Sequence, residues 1–353
     1  MKRKLLIAVP LLAVVAIAAW FFRPKHESLG EAYVSEKSVT LWSSMAQVRE
    51  PLGVLRYGDH VDTLAKRNDF VKVKTSTGTV GWVDSRLLMD PPLWQRSEEL
   101  LKRAEALPVQ ASGRTKVATN LRVEPGRNAP RLYQFGRGVP VQIVARASAD
   151  WAQTQDEKEG SEPQETKKED WFLIRGVATR PPGESSARTA VQPATTDSGD
   201  QNIPIAGWVI ARFLELDVPD PVREGASASN LRPIAWFELN RVQDPSGDKP
   251  QYLLAAARGP EGQACDFATL RVYTWNRKKS RYETAFIEND LCGKLPIRVD
   301  KLAAGQPEFR FLNAGDGSNE RVYRLIQTVV RRVREDGGLG RSVKTTKASP
   351  KKH

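Results

Sequence analysis

The sequence uses one tripeptide twice, as Gly81-Trp82-Val83 and as Gly207-Trp208-Val209. Each copy closes a similar series of residues. In the first series the tripeptide follows Val39-Thr40-Leu41-Trp42 and Phe70-Val71-Lys72-Val73. In the second it follows Thr119-Asn120-Leu121-Arg122 and Trp171-Phe172-Leu173-Ile174. A repeat of this kind indicates two related structural units in one chain.

Both units have the pattern of short β-strands. Val71 and Val73 alternate with Lys72 and Lys74, which is the period of a strand with one buried face, and Thr77-Gly78 predicts a hairpin turn. A glycine beside the tryptophan would let a neighbouring strand approach the backbone closely. In the first unit, strands are predicted at 39–42, 52–56, 60–65, 70–75 and 79–84.

The composition is that of a globular protein with an unusual charge. The chain has 353 residues, of which 40% are hydrophobic and 27% are charged, and its formal net charge is +12. A chain of this length is expected to form two or three domains. A basic balance of this size favours acidic partners, which are nucleic acid, anionic lipid or an anionic wall polymer.

The first residues resemble a membrane anchor. Met1-Lys2-Arg3-Lys4 precedes an apolar run from Leu5 to Phe22, whose 18 residues would span about 27 Å as a helix. The sequence therefore predicts a transmembrane helix over residues 5–22 with a cytoplasmic start. The alternative is a cleaved signal peptide that ends at Ala16-Ile17-Ala18. Export argues against a nucleic-acid partner.

Two kinds of segment interrupt the strand pattern. Residues 91–107 predict a linker helix, because Pro91-Pro92 can open a helix and the leucines that follow fall near one face. The second unit is longer because of two polar insertions, Ala152 to Glu169 and Val177 to Ile203. These insertions and the tail from Gly337 to His353 have the composition of disordered segments.

A third region follows Pro219-Asp220-Pro221 and predicts an antiparallel β domain. The last segment of this region, 320–334, has helical spacing of its apolar residues but many β-branched side chains, and these favour a strand. The earlier strand-like runs lie at 234–242, 251–257, 268–275, 282–288, 296–302 and 308–313.

The residues capable of catalysis are few. Cys265 and Cys292 are the only cysteines, and in an exported chain they predict a disulfide; a catalytic thiol would need a nearby base. The histidines lie at 26, 60 and 353, away from the cysteines. No metal site or cofactor is predicted, and the pair Glu169-Asp170 is interpreted as solvated charge in a polar loop.

Aromatic residues near strand ends are the candidate ligand-binding positions, because peptide grooves of small barrels are lined there. The alternative is that Trp82, Trp171 and Trp208 close the barrel core. The candidates are Trp42, Tyr57, Phe70, Trp82, Tyr133, Trp171 and Trp208.

These features resemble the bacterial SH3-like domain, often called SH3b. Its pattern begins with Asn-Leu-Arg and Pro-Gly, which match Asn120-Leu121-Arg122 and Pro125-Gly126, and it closes on Gly-Trp-Val. The first copy departs from it, since Leu41-Trp42-Ser43 replaces Asn-Leu-Arg and Phe70 replaces a tryptophan. The resemblance implies a small β-barrel that binds peptidoglycan peptides or protein segments, often beside a wall hydrolase.

The sequence therefore predicts a mainly β protein with an N-terminal transmembrane helix, two small SH3-like barrels and a C-terminal antiparallel β domain. We expect a non-catalytic scaffold of the bacterial inner membrane, exposed on the periplasmic or extracellular side, that binds peptidoglycan or peptide segments. Alternatives are a structural subunit of an envelope complex or an envelope hydrolase. The predicted domains are 1–26 (anchor), 27–90 (barrel 1), 91–108 (linker helix), 109–218 (barrel 2), 219–336 (β domain) and 337–353 (tail).

Overall fold

A computed structural model describes residues 29–151, 167–179, 202–302, 305–317 and 319–334. The described part of the chain is mainly β and contains four antiparallel sheets. It divides into two compact units between Pro91 and Pro92. The predictions for residues 1–28, for most of both insertions and for the tail lie outside the described residues.

The first unit is a seven-stranded sheet, whose strand order is β3-β2-β6-β5-β4-β1-β7. Its buried face is lined mostly by valines and leucines, such as Val39, Leu41, Val73 and Val83, that alternate with outward side chains. The strands are β1 (Gly30–Val34), β2 (Ser38–Trp42), β3 (Pro51–Arg56), β4 (His60–Arg67), β5 (Phe70–Thr75), β6 (Val80–Asp84) and β7 (Leu88–Met89).

The second unit begins at Pro92, at the start of helix α1 (Pro91–Glu105), which buries Leu100 and Ala104. A second seven-stranded sheet follows, in the order β10-β9-β13-β12-β11-β8-β14. This order matches that of the first sheet strand for strand, so the sequence repeat is also a repeat of topology. The strands are β8 (Ala111–Thr115), β9 (Thr119–Arg122), β10 (Arg131–Phe135), β11 (Pro140–Asp150), β12 (Lys168–Thr179), β13 (Asn202–Ile210) and β14 (Leu214–Leu216).

Neither seven-stranded sheet closes into a barrel, so the predicted barrels are wrong. The described strands end on β3 and β7 in the first sheet and on β10 and β14 in the second, and these edges do not pair with each other. The edge strands β7 and β14 have only two and three residues. Alternation along a strand indicates which face is buried, but it does not indicate whether the last strand pairs with the first.

The repeated glycine lies where two strands approach closely, as the sequence predicted. A Cβ on Gly81 would lie 2.6 Å from Leu41 Cγ and 2.8 Å from the Trp42 carbonyl oxygen. A Cβ on Gly207 would lie 2.6 Å from Leu121 Cβ. Gly81 therefore sets the distance between β6 and β2, and Gly207 sets the distance between β13 and β9.

Alanine at either glycine is expected to lower the free energy of unfolding of its own unit by about 1–3 kcal/mol, since a methyl group forces the neighbouring strand to shift. Urea denaturation of the full chain measures this for Gly81→Ala and Gly207→Ala. Gly53→Ala and Gly136→Ala are matched controls, because a Cβ there meets nothing within 4 Å. Equal effects of the four substitutions would contradict the prediction.

The rest of the second unit contains helix α2 (Asp220–Ser227) and two four-stranded sheets. Both sheets contribute to one core, in which Phe309 and Phe311 stack on Tyr323 with centroids 5.2 and 6.0 Å apart. The strands are β15 (Arg232–Val242), β16 (Lys249–Ala257), β17 (Thr269–Asn276), β18 (Arg281–Glu288), β19 (Gly293–Lys301), β20 (Pro307–Asn313), β21 (Asn319–Ile326) and β22 (Val329–Arg332).

Two predictions for this region are confirmed. The ambiguous segment 320–334 forms the hairpin β21–β22, which turns at Gln327 with a φ of 56° and pairs Ile326 with Val329. Its β-branched side chains therefore prevail over their helical spacing. The predicted disulfide joins Cys265, in the loop before β17, to Cys292, between β18 and β19.

The described residues do not support the predicted transmembrane helix, nor the inner-membrane placement that rests on it. No helix in the described ranges is long and apolar enough to cross a membrane. The longer one, α1, has 15 residues and would span about 22 Å, less than the roughly 30 Å of a hydrocarbon core. Residues 5–22 themselves lie outside the described part of the chain.

Candidate functional site

Three of the predicted aromatic residues lie on one outward face of the first sheet. Trp42 is directly opposite Trp82 across β2 and β6, and Lys72 is opposite Trp82 on β5. Directly paired residues point to the same face, and so does Phe70, two residues before Lys72. Neighbouring strands are about 4.8 Å apart, so the row from Trp42 to Lys72 spans roughly 10 Å.

Arg49 completes this surface from the loop between β2 and β3. Its guanidinium lies 4.3 Å from the ring centroid of Trp42 and 5.8 Å from that of Phe70. The loop is closed at its base, where Ser43 N–H donates to the Glu50 carbonyl over 2.9 Å. We call Trp42, Phe70, Lys72, Trp82 and Arg49 the tryptophan face.

The tryptophan face carries positive charge. Asp84 is opposite Phe70, but its carboxylate accepts hydrogen bonds from Arg86 over 2.6–3.2 Å. These bonds lower the pKa of Asp84 and pair its charge locally. Arg49 and Lys72 therefore set the charge of the face. Flat rings beside cations suit recognition of sugar rings, peptide groups and anions, by stacking and by charge-assisted hydrogen bonds.

The other predicted aromatic residues are less accessible. Tyr57, Tyr133 and Trp171 are buried, with 6%, 3% and 1% of their surface exposed. Trp208 is half-buried on β13, in the position that Trp82 has on β6. Only Trp42, Phe70 and Trp82 are therefore brought together at a surface.

The second sheet does not reproduce the tryptophan face. Its register places Arg122 opposite Trp208, where the first sheet has Trp42. On the other side Trp208 is opposite Leu173, where the first sheet has Lys72. The two copies of the tripeptide thus share a backbone role but present different side chains beside it.

Sequence reasoning missed Arg49 and Lys72 as members of the face. Lys72 follows from the alternation of β5 once the tryptophan row is known. Arg49 gives no such signal, because it lies in a loop seven residues after Trp42 and reaches the rings only through the path of that loop. The conformation of a loop is set by its own hydrogen bonds rather than by side-chain periodicity.

Glu169 and Asp170 correct another prediction, since neither is solvated charge in a loop. Both belong to β12, and their side chains are 1% and 0% exposed. Asp170 binds Arg146 and Arg232 over 2.5 Å each. Buried carboxylates are kept charged by partners of this kind.

The described residues include no group of three or more His, Cys, Asp or Glu side chains placed to hold a metal ion. The turn at Asp244 is a β-turn, since Gly247 N–H donates to the Asp244 carbonyl over 2.9 Å. The Asp244 carboxylate accepts from the N–H and hydroxyl of Ser246 and from Trp275 Nε1. These bonds lower its pKa to about 2.

No protein-family model matches the chain, and no curated protein matches it. Among solved structures it is similar to NlpC2 from Trichomonas vaginalis (10% identity, TM-score 0.17, covering 83% of this chain and 91% of that chain). It is also similar to NlpC1 from the same organism (11%, 0.17, 89% and 87%) and to an NlpC/P60 family protein from Bacillus cereus (10%, 0.20, 74% and 94%). TM-scores this low carry no conclusion.

Proposed function

We propose that this protein is a non-catalytic binding protein whose tryptophan face binds peptidoglycan or a peptide segment. The observation that carries the proposal is the row Trp42, Trp82 and Lys72 across three strands, with Arg49 stacked beside it. A rigid sheet holds these side chains at fixed spacing, so the face needs little ordering when it binds an extended ligand. The net charge of +12 adds attraction to an anionic polymer.

Sedimentation of the full chain with purified, insoluble peptidoglycan over a salt series tests the proposal. We expect binding at low salt that weakens as salt rises, because exposed charges are screened. Trp82→Ala is expected to weaken binding roughly thirtyfold, since a central aromatic contact contributes about 2 kcal/mol. Trp208→Ala is the matched control, because it removes the same tripeptide tryptophan from the sheet that lacks the face.

Equal losses for Trp82→Ala and Trp208→Ala would contradict a specific role for the tryptophan face. No sedimentation of the unaltered chain at low salt would exclude the wall polymer. That second outcome would favour the other candidate function, a subunit that binds a protein partner.

A specific observation supports the protein-partner function. Strand β3 lies at the edge of the first sheet, and its apolar side chains Leu52 and Val54 are 43% and 57% exposed. Val48, in the loop before β3, is 93% exposed. An edge strand with exposed apolar residues can pair with a strand of another protein.

A further inference from the structure

A second candidate site lies at the loop end of the β11–β12 hairpin in the second unit. Trp151 follows β11, and its backbone N–H donates to the backbone carbonyl of Lys167, just before β12, over 2.7 Å. A cavity of about 690 Å³ opens beside this hairpin. We call it the Trp151 cleft; its main lining residues are Trp151, Lys167, Lys168, Glu169, Arg212 and Glu261.

A buried carboxylate holds two arginines at this cleft. Glu169, whose side chain is 1% exposed, accepts two hydrogen bonds from Arg127, over 2.9 and 3.0 Å. It also lies 2.9 Å from a terminal nitrogen of Arg212. The two arginine side chains remain 32% and 33% exposed. Their guanidinium groups are therefore fixed in place and still have N–H donors that reach the solvent.

Three cationic side chains lie close to the Trp151 ring. The guanidinium carbons of Arg127 and Arg212 lie 3.9 and 4.8 Å from its centroid, and the Lys167 ammonium lies 5.2 Å from it. Stacking on the ring restrains these side chains further. An anion that enters the cleft thus meets donors that are already ordered, which lowers the entropic cost of binding.

Among the described residues at the cleft, four cations face three carboxylates, a balance that matches one added carboxylate. Asp150 lies 4.0 Å from Lys168, and Glu169 binds both arginines. One positive charge is left over, and a single carboxylate neutralises it, whereas a phosphate dianion would leave an excess of negative charge. The cations are Arg127, Arg212, Lys167 and Lys168, and the carboxylates are Asp150, Glu169 and Glu261.

An apolar cavity of about 450 Å³ adjoins the cleft, since Arg212 and Glu261 line both. Its size is in the range of small-ligand pockets. The apolar part of its wall includes Phe172, Leu214, Val218, Leu231 and Ile234. A ligand that fills both cavities needs an apolar group within reach of its carboxylate.

We propose that the Trp151 cleft binds an acidic peptide, with one carboxylate on Arg212 and Lys167 and a neighbouring apolar side chain in the adjoining cavity. This site goes beyond the function proposed for the tryptophan face, because it uses other residues, on the other seven-stranded sheet, and a defined ligand class. The two proposals can therefore fail separately.

The test uses the full chain and three capped pentapeptides: Gly-Leu-Glu-Leu-Gly, the same peptide with Gln for Glu, and the same peptide with Ser for both Leu. Fluorescence anisotropy of labelled peptides gives the affinities. The indole N–H resonance of Trp151, assigned from Trp151→Phe, shows whether the cleft is occupied. We expect the Glu peptide to bind about tenfold more tightly than the Gln peptide, because a charge-assisted hydrogen bond is lost.

Arg212→Gln is expected to abolish the preference for Glu over Gln. Because this variant also removes a partner of buried Glu169, Lys167→Gln serves as a second variant that leaves Glu169 untouched, with an expected loss of several-fold. Arg137→Gln removes one exposed arginine from the turn between β10 and β11 and is expected to change nothing. Trp82→Ala is expected to leave peptide binding intact.

Four outcomes would overturn the proposal. The first is equal binding of the Glu and Gln peptides, and the second is a preference for the Glu peptide that survives both Arg212→Gln and Lys167→Gln. The third is tighter binding of a phosphoserine peptide than of the Glu peptide. The fourth is loss of peptide binding in Trp82→Ala. The Ser peptide tests the apolar part, and binding as tight as that of the Leu peptide would exclude the adjoining cavity.

Discussion

Asp170→Asn is expected to lower the free energy of unfolding of the second unit by about 3–5 kcal/mol. The Asp170 side chain is fully buried and accepts hydrogen bonds from Arg146 and Arg232, over 2.5 Å each, and from Gly262 N–H over 2.8 Å. Asparagine keeps the volume but removes the charge. Arg146, itself 1% exposed, would keep only Asp266 as a carboxylate partner.

Chemical denaturation of the full chain measures this effect, with the transition of the first unit as an internal reference because Asp170 lies outside it. Asp217→Asn is the matched control. Asp217 pairs with Arg114 over 2.7 Å, but its side chain is 41% exposed, so its removal is expected to cost less than about 1 kcal/mol. Comparable losses in the two variants would contradict a special role for the buried charges.

The effect of Asp170→Asn is also expected to depend on pH. Burial raises the pKa of Asp170, but the hydrogen bonds from Arg146 and Gly262 and the charges of Arg146 and Arg232 outweigh it, so the pKa lies below its usual value. Stabilisation by such a group is fully present above about pH 4 and is lost as the pH falls through its folded-state pKa. The difference in free energy of unfolding between the unaltered chain and Asp170→Asn should shrink in strong acid. Growth of that difference would contradict a lowered pKa of Asp170.

Removal of the disulfide by Cys265→Ala with Cys292→Ala is expected to cost roughly 3.5 kcal/mol, because the bond closes a loop of 27 residues in the unfolded chain. The bond also joins two places that make other contacts. The Cys265 carbonyl accepts from Arg146, and Cys292 N–H donates to Asn313 Oδ1. Because both cysteines lie in the second unit, the loss of stability is expected in that unit alone.

Thermal unfolding of the unaltered chain, with and without reductant, measures the same effect independently. Reduction should lower its stability to that of the double variant and should leave the double variant unchanged. A double variant as stable as the unaltered chain would show that the disulfide contributes little to the folded state.

Most of the strands and one covalent contact could be predicted from the sequence. The alternation of Val71 and Val73 with lysines located β5 and its buried face, and the repeat of Gly-Trp-Val located equivalent strands in two sheets. These features are local, because side-chain period and glycine geometry depend on residues close in sequence. The disulfide could be predicted because the chain has only two cysteines.

Contacts between distant residues could not be predicted in this way. Arg49 reaches Trp42 and Phe70 through a loop, and sequence periodicity contains no information about that path. Glu169 and Asp170 are polar residues beside a polar insertion, yet they are buried because arginines from other segments meet them. Burial of a charge depends on partners brought together by tertiary folding, and not on its neighbours in sequence.

The sequence by itself determined the mainly β class, the doubled Gly81-Trp82-Val83 and Gly207-Trp208-Val209 units and the buried face of their strands. Only the tertiary structure decided that the sheets stay open, that Trp42, Trp82 and Phe70 share a surface while Trp171 is buried, and that three cations meet at the Trp151 ring. The physical reason is that strand periodicity is local, whereas sheet closure and clusters of charge depend on long-range pairing.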